Sequence, residues 1–274
     1  MWNKTKELWN YFLFRLDPYR HLDAKWRDPL AKLLTMLVPE RAEGVAKIRV
    51  GGPHDGGYVM LDDFCGIAGA YSLGIGPDVG WDLAIAQRGV PVWQYDPTVT
   101  GPPVNHSLFT FQPWRIEMND DPATQTVSLA SLIDQNRHGG ADLILKIDIE
   151  GTEWDVLAGI DPDRLKVFRQ IVVEFHSLNR VVEPDWRDLA TTALAHLTQH
   201  HQVVHVHGNN LSAILVAGNL RMTESLEVTL VRRDAYRLVA TEETFPGPCD
   251  RANSRVFPDF PLGTFRFSGA ERKK

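Results

Sequence analysis

From residue 69 to the 230s the chain alternates segments of strand pattern with segments of helix pattern, and this alternation constrains the fold most. The strand candidates are AYSLGI (70–75), VPVWQYD (90–96), ADLILKIDI (141–149), RQIVVEF (169–175), HQVVHVH (201–207) and LEVTLVRR (226–233). Helix candidates lie between them at 79–88, 152–159 and 184–200. In the last of these, Trp186, Leu189, Ala193, Leu194 and Leu197 recur at helical spacing behind Pro184, whose fixed φ suits a first turn. Strands joined through helices need crossover connections, which are right-handed and give a mainly parallel sheet. Only a loop (208–225) separates the last two strands, so the spacing predicts an antiparallel pair at one end of the sheet. That feature sets the pattern apart from a plain dinucleotide-binding fold.

At 274 residues with 43% hydrophobic composition, the chain can bury the core such a sheet requires. We divide it into a helical N-terminal extension (1–46), a sheet-bearing domain (47–240) and an extended C-terminal tail (241–274). The extension reads as helices broken near Asp17-Pro18 and Asp28-Pro29 and ended by Pro39. The tail is rich in proline and aromatic residues (FPGPC, VFPDFPLGTFRF) and reads as a cover along the domain. A net charge of −6 argues against a surface built to neutralise nucleic-acid phosphates. Cys65 and Cys249 show no paired or metal-ligand spacing and read as free thiols of a reducing, cytoplasmic compartment. The opening MWNKTKELWNYFLFRL has too short an apolar run for a signal peptide, and no stretch reaches the roughly 18 apolar residues of a membrane span. Its Trp2, Trp9, Tyr11, Phe12 and Phe14 read as part of a helix packed on its own domain. A weak membrane-surface contact through residues 2–16, or a homo-oligomer contact, is the competing reading.

Ligands of parallel sheets bind beyond the carboxyl ends of the strands. The first strand runs into SLGIGPDVGWD (72–82), where Gly74 and Gly76, either side of Ile75, let a ligand approach the backbone. The second ends in Tyr95-Asp96-Pro97, and an acidic residue at that offset suits both hydroxyls of a ribose. Together these features indicate an adenosine-containing cofactor. Asp78 stands at the helix entrance, where a pyrophosphate would otherwise sit, so the pattern favours S-adenosylmethionine over a nicotinamide dinucleotide. Asp78 or Asp55 could pair with the methionine ammonium group, although Asp78 could equally serve as a helix cap. Asp55 belongs to DGGYV (55–59), which reads either as a turn or as a fold of chain placing Tyr58 against the cofactor.

The other strand ends carry catalytic residue types. LKIDIEG (145–151) offers Asp148 and Glu150, with Lys146 as an ion-pair partner for either. IVVEFHS offers Glu174 and His176, two apart and therefore on one face. VVHVHGNN offers His205 and His207, then Asn209 and Asn210. One such residue is more often a hydrogen-bonded structural group, but three successive strands ending this way point to a site. His200 and His201 read only as a solvated helix end.

KIRVGGPHDGGYVM, SLGIGPDVGWD, LKIDIEGTEWDVLAGI, VVEFH and HVHGNN, in this order, resemble the FkbM-type S-adenosylmethionine-dependent methyltransferases over about residues 47–233. The resemblance implies an α/β, class I methyltransferase (Rossmann-like) fold, with a seven-stranded mainly parallel sheet whose last strand is antiparallel. It also implies O-methylation of a hydroxyl on a sugar, glycan or natural-product small molecule. Ser72 and Leu73 stand where such enzymes usually carry an acidic residue, which leaves the methionine end to Asp55, Asp78 or backbone groups. Methyl transfer to an alcohol needs alignment and removal of the hydroxyl proton. His176 is the first choice of base and His207 the second, because imidazole titrates near neutral pH. Asp148 and Glu150 could orient that base, bind the acceptor or hold a cation. Asp148, Glu174, His176 and His207 would suit Mg2+ or Mn2+ only in part, since Mg2+ prefers all-oxygen shells. An NAD(P)-dependent oxidoreductase and a non-catalytic S-adenosylmethionine-binding protein are the rival readings.

Overall fold

Aliphatic and β-branched runs in the middle of the chain assemble into one sheet in the computed structural model, which describes residues 18–267. Its strands, numbered in chain order, are β1 (Gly69–Leu73), β2 (Val92–Tyr95), β3 (Phe109–Gln112), β4 (Leu143–Ile147), β5 (Phe168–Phe175), β6 (His201–Gly208) and β7 (Leu226–Arg232). They lie in the order β6-β7-β5-β4-β1-β2-β3. Neighbours run parallel except β7, which inserts antiparallel between β5 and β6. This mixed α/β architecture, with seven strands and an antiparallel last one, is consistent with a methyltransferase-like fold.

Helices cover both faces of the sheet, so its central strands are buried on both sides. β4 shows how the alternation is used. Leu143, Leu145 and Ile147 join the larger apolar core, while Ile144 joins the smaller core on the other face. Lys146 shares the Ile144 face and is only 4% exposed, so that polar side is not solvent. In the larger core Trp154 stacks on Phe175 (ring centroids 4.4 Å apart) and meets Trp186 edge-on at 5.1 Å. Burial of each such ring contributes about 4–6 kcal/mol, which fixes the helix Glu153–Gly159 against β5.

Helix Pro184–His200 matches its expected bounds, and the antiparallel β6–β7 pair is present. Other elements differ from the sequence reading. β3 was not expected: it is a four-residue, half-exposed edge strand, too short for its pattern to stand out. The loop before β7 holds a hairpin, Ile214–Ala217 with Leu220–Thr223. That hairpin pairs in parallel with Tyr19–Leu22, so the stretch after Pro18 is a strand rather than a helix. Asp28-Pro29 does not break its helix either: Arg27–Thr35 runs through Pro29 in its first turn, where the missing N–H costs nothing. Glu40–Ala42 pairs with Leu238–Ala240. Residues 18–46 are therefore mixed strand and helix, and the aromatic stretch 2–16 lies outside the described residues.

His201 is a further correction. It begins β6 with its ring fully buried, and Nε2 bonds the Phe168 carbonyl at 2.7 Å, instead of sitting in solvent. Lys47–Val50 and Tyr58–Leu61 form a hairpin whose turn brings Gly56 beside the Asp78 side chain. Among the described residues no helix is long and apolar enough to cross a membrane.

Candidate active site at the strand ends

The carboxyl ends of β1 and β4 approach so closely that only glycine fits between them. A Cβ on Gly74 would stand 1.7 Å from the Asp148 carbonyl oxygen, and Gly74 has a φ of +78°. The Ile75 and Gly76 N–H groups then donate to Asp96 Oδ2 at 2.9 and 2.8 Å. Asp96 Oδ1 accepts from the Thr98 N–H and hydroxyl at 2.7 and 2.6 Å. Burial opposes its charge, but Thr98 and the backbone N–H groups of Gly76, Thr98 and Ile75 hold its carboxyl below the usual range. Asp96 Oδ2 thus fixes the glycine loop against the end of β2, and Oδ1 fixes the turn at Thr98 that follows it. Pro97 beside it is exposed. Asp78 is exposed as well, and its Oδ1 accepts from Gly80 N–H at 2.7 Å, capping the turn into helix Gly80–Ala86.

Beyond β4 the chain turns sharply: Glu150 has φ +56° and Gly151 φ +105°. A left-handed glutamate is unusual and marks a locally constrained backbone. The turn leads into helix Glu153–Gly159, where the fully buried Glu153 accepts from Gly151 N–H at 2.8 Å. Glu153 Oε1 also takes the His176 backbone N–H at 2.6 Å and lies 3.3 Å from His176 Nδ1. Trp154 Nε1 donates to the His176 carbonyl at 2.8 Å, so ring and backbone of His176 are both held.

The other ring nitrogen, Nε2, faces a ring of carboxylates. Glu174 Oε1 stands at 3.5 Å, Glu150 Oε2 at 3.8 Å and Asp148 Oδ1 at 4.0 Å. Burial opposes charge on the imidazole, yet the Glu153 hydrogen bond and the nearby carboxylates outweigh it and push its pKa up to about 10. Burial, with Asp148 adding to it, raises the Glu174 carboxyl well above its ordinary value. Glu174 Oε1 accepts from Asn209 Nδ2 at 2.6 Å, and Asp148 Oδ2 from the Tyr58 hydroxyl at 3.0 Å. Lys146 Nζ donates to the Gly74 carbonyl at 2.5 Å and lies 4.0 Å from Asp148 Oδ2. The lysine therefore pairs with Asp148 while tying β4 to the glycine loop.

The structure brings Asp148, Glu150, Glu174 and His176 together and sets His207 apart from them. Both ring nitrogens of His207 are taken, by Glu227 Oε2 and Asp259 Oδ1, each at 2.9 Å. Burial again opposes its charge, but those two hydrogen bonds raise its pKa to about 10. As it stands, His207 has no ring nitrogen left for a metal or a substrate proton. Asp55 joins a neighbouring group with Glu174 and Glu227, where Asn253 Nδ2 donates to Asp55 Oδ1 at 3.0 Å and to Glu227 Oε1 at 2.5 Å.

Glu153, Glu227, Asn253 and Asp259 escaped the sequence reading. Glu153 looks like an ordinary acidic residue in a helix first turn. Glu227 is legible only through register: on β7 it stands opposite Glu174 on one side and His207 on the other. Asn253 and Asp259 come from the tail and carry no local signal. Chemically, the site can attract a cation, accept hydrogen bonds from a hydroxyl and receive its proton.

No curated protein matches this chain. Residues 71–205, which run from the glycine loop through His176, match the family model described as the methyltransferase FkbM domain.

Proposed function

We propose that this protein transfers a methyl group from S-adenosylmethionine to a hydroxyl of a sugar, glycan or natural-product small molecule. The observation that carries the reading is the carboxylate group around His176, beyond β4 and β5 and beside the glycine loop that Asp96 fixes. S-adenosylmethionine supplies, when bound, an electrophilic methyl on a sulfonium. A negative site attracts that cation and disfavours a pyrophosphate. Within a class I methyltransferase domain over 47–240, Gly74, Ile75 and Gly76 offer backbone to the cofactor, with Asp96 and Pro97 at the ribose side. Asp55 and Asp78 suit its ammonium group.

With no ion bound, Glu153 and the facing carboxylates favour the charged form of His176, which makes it a positioning group rather than the proton acceptor; an ion at Nε2 would take the place of that proton. Asp148 and Glu150, which face its Nε2, are placed to orient the hydroxyl and take its proton. Residues 241–267 are tied to β6 and β7 through Asp250, Asn253 and Asp259. Cys65 and Cys249 are both free thiols, which fits a reducing, cytoplasmic setting.

Calorimetric titration of the full chain with S-adenosylhomocysteine and with NADH tests the cofactor. Binding of the first and not the second is expected; the reverse sinks the reading. Transfer of labelled methyl to a panel of sugar and polyketide hydroxyls then separates an enzyme from a binding protein. Binding without any transfer across that panel favours the non-catalytic alternative.

A further inference from the structure

We propose that Asp148, Glu174 and His176 form a binding site for one divalent cation of the Mn2+ class, with open positions for the acceptor hydroxyl. This rests on the methyl-transfer reading of the same site. One ligand atom from each of the three residues lies within 4.8 Å of the other two. For ligands about 2.1 Å from an ion, donor atoms stand roughly 3.0 Å apart at adjacent octahedral positions and 4.2 Å apart at opposite ones. His176 Nε2 lies 3.5 Å from Glu174 Oε1 and 4.0 Å from Asp148 Oδ1, within that range.

Each ligand is also fixed by a neighbouring side chain. Glu153, itself fully buried, fixes His176 through Nδ1 and leaves Nε2 turned to the carboxylates. This is the arrangement by which metal-binding histidines are usually oriented. The Tyr58 hydroxyl holds Asp148 through Oδ2 and leaves Oδ1 to the ion, while Asn209 donates to Glu174 Oε1 itself, so that oxygen would meet the ion through its second lone pair. The charge balance points the same way. Asp148, Glu150, Glu153 and Glu174 converge on a ring that carries at most one positive charge, with Lys146 the cation beside Asp148. A divalent ion corrects that excess where a single proton on Nε2 does not. A mixed oxygen and nitrogen donor set suits Mn2+ better than Mg2+.

Two nearby arrangements are weaker. Asp55, Glu174 and Glu227 also converge, but Asn253 Nδ2 already donates to Asp55 and Glu227. His207 has both nitrogens bonded. With three protein ligands, the ion keeps positions for a hydroxyl oxygen, whose pKa it lowers so that a neighbouring carboxylate can take the proton.

The test is a Mn2+ titration of the chelator-stripped full chain, followed by the loss of the free-ion paramagnetic resonance signal. One bound ion is expected. Glu174→Gln and Asp148→Asn should each weaken binding by at least about tenfold, while Glu117→Gln, on an exposed strand elsewhere, should leave it unchanged. Thermal unfolding of each variant guards against misfolding, and if Glu174→Gln does not fold, the half-buried Asp148→Asn decides. No uptake by the wild-type chain, or equal uptake by wild type and folded variants, overturns the proposal. S-adenosylhomocysteine titrated in excess EDTA keeps the two readings apart. Binding there with no Mn2+ uptake removes the cation and leaves the methyltransferase reading standing; no binding there counts against the methyltransferase reading itself.

Discussion

His201 shows how one buried ring ties stability to pH. Its Nε2 bonds the Phe168 carbonyl, and its Nδ1 has no partner among the described residues. Burial pulls its pKa down to about 4, from 6.5 in the unfolded chain. Between those values the unfolded chain binds a proton that the folded chain refuses. Stability from this residue is therefore fully present above about pH 6.5 and is lost as pH falls toward 4. The steepest slope is about 1.4 kcal/mol per pH unit, and the whole effect amounts to about 3 kcal/mol. His201→Gln keeps a donor for Phe168 without the titrating ring. Urea midpoints at pH 7, 5.5 and 4.5 should show a shallower acid decline in the variant than in the wild type. Parallel declines would refute the assignment.

Among elements, the close approach of the carboxyl ends of the parallel neighbours β1 and β4 is the tightest constraint. Gly74→Ala would drive a methyl into the Asp148 backbone and force a strained φ, so either the strand ends separate or the chain fails to fold. A stability loss above about 2 kcal/mol is expected, with loss of S-adenosylhomocysteine binding; urea unfolding and calorimetry measure both, and wild-type values would refute the close packing. The same elements show what the sequence could reveal. Helix Pro184–His200 and strands β4 to β7 were legible because their periods are strong and their lengths ordinary. Asp148, Glu150, Glu174 and His176 were legible as a group because they stand two apart at the ends of parallel strands. β3 was hidden by its brevity. Tyr19–Leu22 was hidden because it pairs with residues nearly two hundred positions away, a contact no local period encodes. Glu227 needed the β7 register, and Glu153 needed the fold that turns a first-turn helix acid inward onto His176.

Across the whole molecule residues 241–267 work as a strap. Phe245 and Phe265 insert into the larger core, while Asp250, Asn253 and Asp259 reach back to His205, Glu227 and His207. Asn210 joins it at three points, donating to the Phe257 and Pro258 carbonyls at 2.9 and 3.1 Å and accepting from Ser254 N–H at 2.7 Å. Asp250→Ala would leave His205 Nε2 buried without its partner at 2.8 Å. The expected loss is about 1–3 kcal/mol in urea unfolding; no measurable loss would show that the strap only lies on the surface. The antiparallel placement of β7 also has a consequence in time. β5 is synthesised well before β7, and its edge has no permanent neighbour until residues 226–232 emerge and slip between it and β6. At about 5–20 residues per second, the nascent sheet stays split for roughly 3–11 seconds, with Glu174 made long before Glu227 can face it.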